Sequence, residues 1–196
     1  MTKRYHHGDL RAALIQKTLE MVKSNELHLV GFRELARRLD VSRSAPYRHF
    51  ESADHLLAAV AEDGFRSFLA SLRRVENDGQ WDDRRKFLEL GVCYVEFALQ
   101  NPAHYRLMFD HKFYQFDDYS DLQSLSKQSF EVLRGTAKKC LPPSPQRGAG
   151  LELATLAWSC VHGLSKLFID GQLNHVVDRG GFIRNSCEKL LGAIGN

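Results

Sequence analysis

Apolar residues recur along this chain with helical spacing almost throughout, and the breaks between the runs mark the elements. Ala12, Ile15, Leu19 and Val22 follow one another at intervals of 3, 4 and 3, which predicts a first amphipathic helix opened by Asp9. Phe32, Leu35, Ala36 and Leu39 repeat the pattern in a short second helix, with Gly31 an acceptable N-cap. After a break at Asp40-Val41, Ser42 is expected to cap a third, two-turn helix running through Arg43, Ser44, Ala45, Pro46, Tyr47, Arg48 and His49 to Phe50. A long fourth helix opens at Ser52, and Leu57, Ala61, Phe65, Phe68 and Leu72 form its buried stripe to about Arg74.

The later helices are apolar on more than one side. From Arg84 to Gln100, Phe87, Leu90, Tyr94 and Phe97 make one stripe and Leu88, Val92, Val95 and Leu99 another, as expected of a helix inside a bundle. Asn101 and Pro102 open a short aromatic-rich helix to Phe109. Residues 121 to 139 read as a helix with Leu122, Leu125, Phe130, Leu133 and Ala137 inward, and the Pro- and Gly-rich stretch 141–150 as a loop. From about Arg147 to Ile169, Leu153, Leu156, Cys160, Leu164 and Leu167 share one face while Ala154, Trp158, Val161 and Phe168 share the other. The last helix, from about Arg179, carries Ile183, Cys187, Leu190 and Ile194. No strand pattern interrupts the series, so the expected class is all-α.

The third helix is too short and too polar to be stable alone. Val41 and Phe50 bracket it as anchors, which leaves Arg43, Ser44, Tyr47, Arg48 and His49 outward. Arginine reads a guanine edge or binds phosphate, and Ser, Tyr and His bond phosphate oxygens. Charge supports that reading. Residues 1–50 hold ten Lys and Arg against five Asp and Glu, whereas residues 51–196 hold seventeen against nineteen. A basic first quarter suits a polyanion, and the arm Thr2–Gly8 adds Lys3 and Arg4 as candidate phosphate or minor-groove contacts.

Residues 9–57, and above all the run V-S-R-S-A-P-Y-R-H-F at 41–50, resemble the DNA-binding domain of the tetracycline-repressor (TetR) family of bacterial regulators. Glu34-Leu35-Ala36, Val41-Ser42, Tyr47 and Phe50 match its pattern in register. Asp40 replaces the turn glycine, Gly31 replaces a hydroxyl cap, and Ala53 stands where many members carry lysine. The resemblance implies a helix-turn-helix domain over 1–51, with Arg33, Ser42 and Ala45 joining the DNA-facing set, and a helical effector-binding and dimerisation domain over 52–196. Trp158 to Gly163, with N-P-A-H-Y-R-L-M-F at 101–109, is similar to the C-terminal domain of a subgroup marked by Trp, His and Gly.

That second resemblance implies a pocket for a small, mainly apolar effector. Phe68, Tyr94, Phe97, His104, Tyr105, Met108, Phe109, Phe113, Trp158 and His162 are the candidate lining, since such sites combine apolar walls with a few placed polar groups. The same residues would equally form a packed core. Leu153, Leu156, Cys160, Leu164, Leu167, Ile183, Cys187, Leu190 and Ile194 are the candidate homodimer interface, because two doubly apolar helices at the end of a chain need a partner.

Catalysis is poorly supported. No P-loop, G-x-S-x-G, H-E-x-x-H or G-x-G-x-x-G is present, and Cys160 and His162, two positions apart on a helix, point in different directions. The four cysteines form no C-x-x-C pair, and His6-His7 lacks an acidic partner, so no metal or other cofactor is expected. No apolar run reaches 18 residues and the N-terminus lacks a signal h-region, which predicts a cytoplasmic protein without a membrane partner. The expected function is a homodimeric transcriptional repressor that binds a palindromic double-stranded operator and is released by its effector. Two alternatives stand beside it: a ligand-independent DNA-binding protein whose C-terminal helices only dimerise or dock a partner, and a small helical enzyme using His104 or His162 as base.

Overall fold

A computed structural model describes residues 10–114, 119–142 and 148–194, the side chains of Tyr114, Ala193 and Ile194 excepted. Every regular element among these residues is helical. Contacts divide the chain into two compact units: one built from residues up to Gly64 together with Ala103–Gln123, the other from Phe65–Pro102 and the residues from Ser124 onward. This division of packing falls beyond the 51/52 boundary expected for the DNA-reading segment. Lys3, Arg4 and the Asp9 cap lie outside the described residues.

In the first unit, α1 (Leu10–Lys23) buries Ala13, Leu14, Ile15, Thr18, Leu19, Met21 and Val22. The helix is thus covered over a wider arc than the expected stripe, and Ala12 lies only at its edge. Both short connections that follow depend on a left-handed residue. Asn25 (φ 59°) ends α1, with Asn25 N–H on the Val22 carbonyl at 3.1 Å and Glu26 N–H on that of Met21 at 2.8 Å. Asp40 (φ 53°) ends α2 (Phe32–Arg38) in the same way, through Asp40 N–H to Arg37 at 3.4 Å and Val41 N–H to Ala36 at 3.0 Å. Asp tolerates this conformation better than most residues, which is how Asp40 replaces the turn glycine. Gly31 is the extended N-cap of α2.

The expected third α-helix is corrected. Residues 42–45 form a turn, and only Pro46–Arg48 is helical, as a 3₁₀ turn. The cause is Pro46. A helix capped at Ser42 needs the fourth residue's N–H on the Ser42 carbonyl, and proline has none. Ala45 N–H takes that carbonyl at 3.0 Å instead, and Arg48 and His49 bond back three residues to Ala45 and Pro46.

Helix α3 (Ala53–Glu76) starts where Ser52 Oγ accepts the His55 N–H at 3.3 Å. Within the first unit it meets α5 (Pro102–Met108) at Gly64, where an added Cβ would lie 2.9 Å from Met108 Sδ and 3.0 Å from His104 Cβ. Lys112, on the 3₁₀ turn His111–Tyr114, pairs with Asp54 at 2.7 Å.

The second unit is organised on α4 (Asp83–Gln100), capped by Asp82, whose side chain accepts the Arg85 N–H at 2.7 Å. Both expected stripes are buried except Leu99, which is half-buried. Against it pack α7 (Ala149–Ile169) and α8 (Arg179–Ile194). At Gly91 a Cβ would reach Cys187 Sγ at 3.2 Å and Val161 Cγ1 at 3.6 Å. Glu89 is buried on α4 and held by Arg184 at 2.7 and 3.2 Å and by Arg85 at 2.7 Å. Asn101 closes α4, its Nδ2 donating to the Phe97 carbonyl at 3.1 Å.

Helix α6 (Ser120–Lys139) also turns differently from its expected inward face. Leu122 and Ala137 are buried, but Leu125, Phe130 and Leu133 are half-buried, while Ser129, Val132 and Thr136 are inside. The two hydroxyls make this possible by bonding the carbonyls one turn earlier, at 2.9 Å (Leu125) and 3.0 Å (Val132).

Gly171 (φ 77°) terminates α7, donating to Phe168 at 3.1 Å while Gln172 donates to Leu167 at 2.9 Å. A side chain there meets both the left-handed penalty and Asn174 Nδ2 at 3.0 Å. Gly171→Ala is expected to lower stability by about 1–2 kcal/mol, measured as a shift of the urea midpoint at unchanged slope.

Candidate nucleic-acid interface and effector residues

The basic segment is held by its apolar side. Phe50 and Pro46 are buried, and Phe32 meets the Tyr47 ring edge-on at 4.7 Å and 87°, leaving Tyr47 65% exposed. Arg33, Ser42, Arg43, Ser44, Arg48 and His49 are exposed, and Ala45 is half-buried. The side chains of Arg33, Arg43, Arg48 and His49 make no ion pair or hydrogen bond among the described residues, so their donors are exposed and unpaired there. Ser42 and Ser44 share a contact at 3.3 Å.

The remaining charge of α2 is committed internally. Glu34 accepts from Arg37 at 2.7 and 2.9 Å and from Arg38 at 2.7 Å, and Arg38 also reaches Glu26 at 2.7 Å. Hydrogen bonds from Arg37 and then Arg38 hold the Glu34 carboxyl down at about 2. The two arginines counted in the sequence's basic excess are therefore largely neutralised. A cation that sequence reading missed takes their place: the Arg11 guanidinium lies 5.2 Å from the Phe50 ring centroid, beside the basic segment.

The ten candidate effector residues fall into two groups, one in each unit. In the first, Tyr105, Met108 and Phe113 are fully packed, while His104 and Phe109 are half-buried. In the second, the Tyr94 hydroxyl joins Trp158 and His162: it accepts the indole N–H at 3.2 Å and lies 3.0 Å from His162 Nδ1. Phe68 packs on Tyr94 (5.2 Å) and Phe97 (5.0 Å), and Phe130 on Trp158 (5.7 Å). Burial, reinforced by Lys166, pushes the His162 pKa below its ordinary value, and burial does the same to His104.

A groove of about 300 Å³ on α3 and α4 touches this set only at Phe97, its other walls including Arg74, Val92, Cys93 and Glu96. Burial raises the Cys93 and Cys187 thiols to about 11, which suits packing rather than nucleophilic chemistry. Among the described residues no group of His, Cys, Asp and Glu could hold a metal ion, and no helix is long and apolar enough to cross a membrane.

The candidate interface residues also divide. Leu153, Ile183 and Cys187 are buried in the chain's own core and offer little surface, which sequence spacing alone did not reveal. Leu156 (50%), Leu167 (46%) and Cys160 are exposed on α7, and Leu164 and Leu190 are half-buried. Leu164, Leu167 and Leu190 line a shallow apolar groove of about 380 Å³ between α7 and α8, with Gly163 and Cys160 beside them. The side chain of Ile194 lies outside the described residues.

Residues 87–190, just over half of the chain, match the family model described as "Tetracyclin repressor-like, C-terminal domain". The chain belongs to the TetR family. It is 30% identical over 133 residues to the nucleoid occlusion factor SlmA of Aliivibrio fischeri, a match covering 67% of this chain and 66% of SlmA, so it spans just under two thirds of that relative. Among solved structures, a protein of unknown function from Rhodococcus sp. RHA1 superposes with a TM-score of 0.84 at 24% identity, covering 100% of both chains. A TetR-family regulatory protein from Rhodococcus RHA1 gives 0.74 at 17% identity over 96% of this chain and 98% of its own. At those identities the superpositions establish the all-α TetR fold. The TetR family comprises transcriptional regulators and not enzymes, so the helical-enzyme alternative is set aside.

The depressed histidines make a pH prediction. Below the ordinary 6.5 the unfolded chain takes up a proton at His162 that the folded chain resists, so stability falls as pH is lowered through 6.5 and levels off below the folded pKa. Urea unfolding between pH 7.5 and 5 should show this decline, and His162→Gln should reduce it, leaving the part due to His104.

Proposed function

We propose that this TetR-family protein is a cytoplasmic DNA-binding transcriptional regulator, acting as a homodimeric repressor on a pseudo-palindromic operator. The observation that carries the reading is the set Arg33, Arg43, Tyr47, Arg48 and His49, exposed together on buried anchors, with its cations unpaired among the described residues. Arginine forks in that setting serve base edges and phosphates, and Ser42 and Ser44 add phosphate donors. By role, residues 1–51 read DNA, with Lys3 and Arg4 as further backbone contacts, and residues 52–196 dimerise and sense. A second copy on Leu156, Cys160, Leu164, Leu167 and Leu190 would cover the apolar face of α7 and α8, and the symmetry axis would set two basic segments about 34–36 Å apart, one helical turn of DNA.

The sensed molecule in this reading is small and mainly apolar. Tyr94, Trp158 and His162 offer polar tips among aromatic rings, the composition of a ligand site. Such an effector acts only by binding the two states differently, with coupling of about 1–3 kcal/mol. A second reading, of a regulator without effector, is favoured by the close burial of Tyr94, Phe97 and Met108.

Arg43→Ala and Tyr47→Ala should each weaken operator binding by about 1–3 kcal/mol while leaving the circular dichroism spectrum unchanged. If Arg43 contacts phosphate, its loss should reduce the salt slope by about one. Unchanged affinity in both variants would remove the hairpin assignment. Leu156 is half exposed, so Leu156→Glu should fold normally and run as a monomer by light scattering; a variant that stays dimeric places the interface elsewhere.

A further inference from the structure

In the first unit a buried polar atom has no hydrogen-bond partner among the described residues. His104 Nε2, on α5, is shielded from solvent and makes no hydrogen bond to any described residue, although Asp63 Oδ2, on α3, lies only 3.7 Å away. An unsatisfied buried nitrogen costs free energy on the order of 1–3 kcal/mol, and it persists beside a potential acceptor. The two helices meet here through Gly64, next in sequence to Asp63, with Met108 and the His104 Cβ against its Cα. From 3.7 Å, a displacement below 1 Å would bring the nitrogen to hydrogen-bond distance.

We propose that His104 and Asp63 form a proton-operated latch: the neutral imidazole leaves His104 Nε2 without a hydrogen bond to Asp63, and protonation at His104 draws the Asp63 carboxylate into a charge-assisted hydrogen bond. The charged groups bearing on His104 are Asp63 from α3, which favours the proton, and Lys23 from α1, which opposes it. On α5 itself Arg106 lies on the exposed side. Burial is the largest influence and holds the proton off at neutral pH, so the latch closes under mildly acidic conditions. A hydrogen bond to a charged partner is shorter and about twice as strong as a neutral one, so its formation pulls α5 towards α3 at this point. Asp63 is ten residues into α3, so the change acts about 15 Å from the helix's first residue, which follows directly on the basic segment. The latch rests on the first unit's geometry alone and does not depend on what that unit binds.

The test is a histidine-resolved NMR titration of the full chain between pH 7.5 and 4.5, comparing wild type, Asp63→Asn and Gly64→Ala. In wild type the Gly64 and Met108 amides should shift with the same midpoint as the His104 imidazole. Asp63 is 47% exposed, so Asp63→Asn should fold normally, lower that midpoint by about one pH unit or more and suppress the amide shifts. Gly64→Ala keeps the carboxylate but wedges the helices apart, and should lower the midpoint too. A midpoint unchanged in Asp63→Asn, or amides at Gly64 and Met108 indifferent to His104 titration in wild type, overturns the latch.

Discussion

The exposed basic and polar side chains of residues 42–49 depend on a few apolar contacts under a ten-residue run that cannot hold a shape alone. The run from Val41 to Phe50 has one short 3₁₀ turn, a single four-residue bond from the Phe50 N–H to the Pro46 carbonyl at 3.1 Å, and no α-helix. Its order comes from outside: the buried Phe50 and Pro46 below it, the edge-on packing of Tyr47 on Phe32, and the left-handed Asp40 that ends the preceding helix. Such a segment has no stability to contribute. Its side chains are consequently free to be polar and basic, and its geometry is as good as its anchors.

The second unit solves a different problem. Helix α4 is buried on most of its circumference, so its one buried carboxylate, Glu89, is tolerable only because two arginines reach it. Two close approaches on glycine, at Gly91 and Gly64, show the same economy in each unit: removing a Cβ lets side chains from a neighbouring helix lie against the backbone. Around the Tyr94 hydroxyl, Trp158 and His162 from successive turns of α7 converge on α4. That gives two of the residues that mark the C-terminal motif a shared physical partner.

Much of this was legible in the sequence because helical periodicity reports burial directly. The two stripes of α4, the stripe of α3, the Gly31 cap and the end of α2 at Asp40 all follow from spacing and cap chemistry. Three features were not legible, each for a definite reason. Pro46 was placed inside a helix because the flanking residues have helical spacing, yet a missing N–H at that position outweighs the pattern. Leu153, Ile183 and Cys187 were assigned outward because a doubly apolar helix does not say which face meets its own chain. The pairing of Arg37 and Arg38 with Glu34 at i, i+3 and i, i+4 is visible in sequence, but its strength depends on rotamers. The lone nitrogen of His104 has no sequence signal, since it is defined by what fails to reach it.

The central claim is that two copies of the basic segment read one symmetric DNA site. Hydroxyl-radical footprinting of the purified protein on the DNA upstream of its own gene tests this most directly. The account predicts two protected half-sites of inverted sequence, centred about one helical turn apart. Uniform weak protection along the fragment, or one isolated half-site at saturating protein, would contradict it.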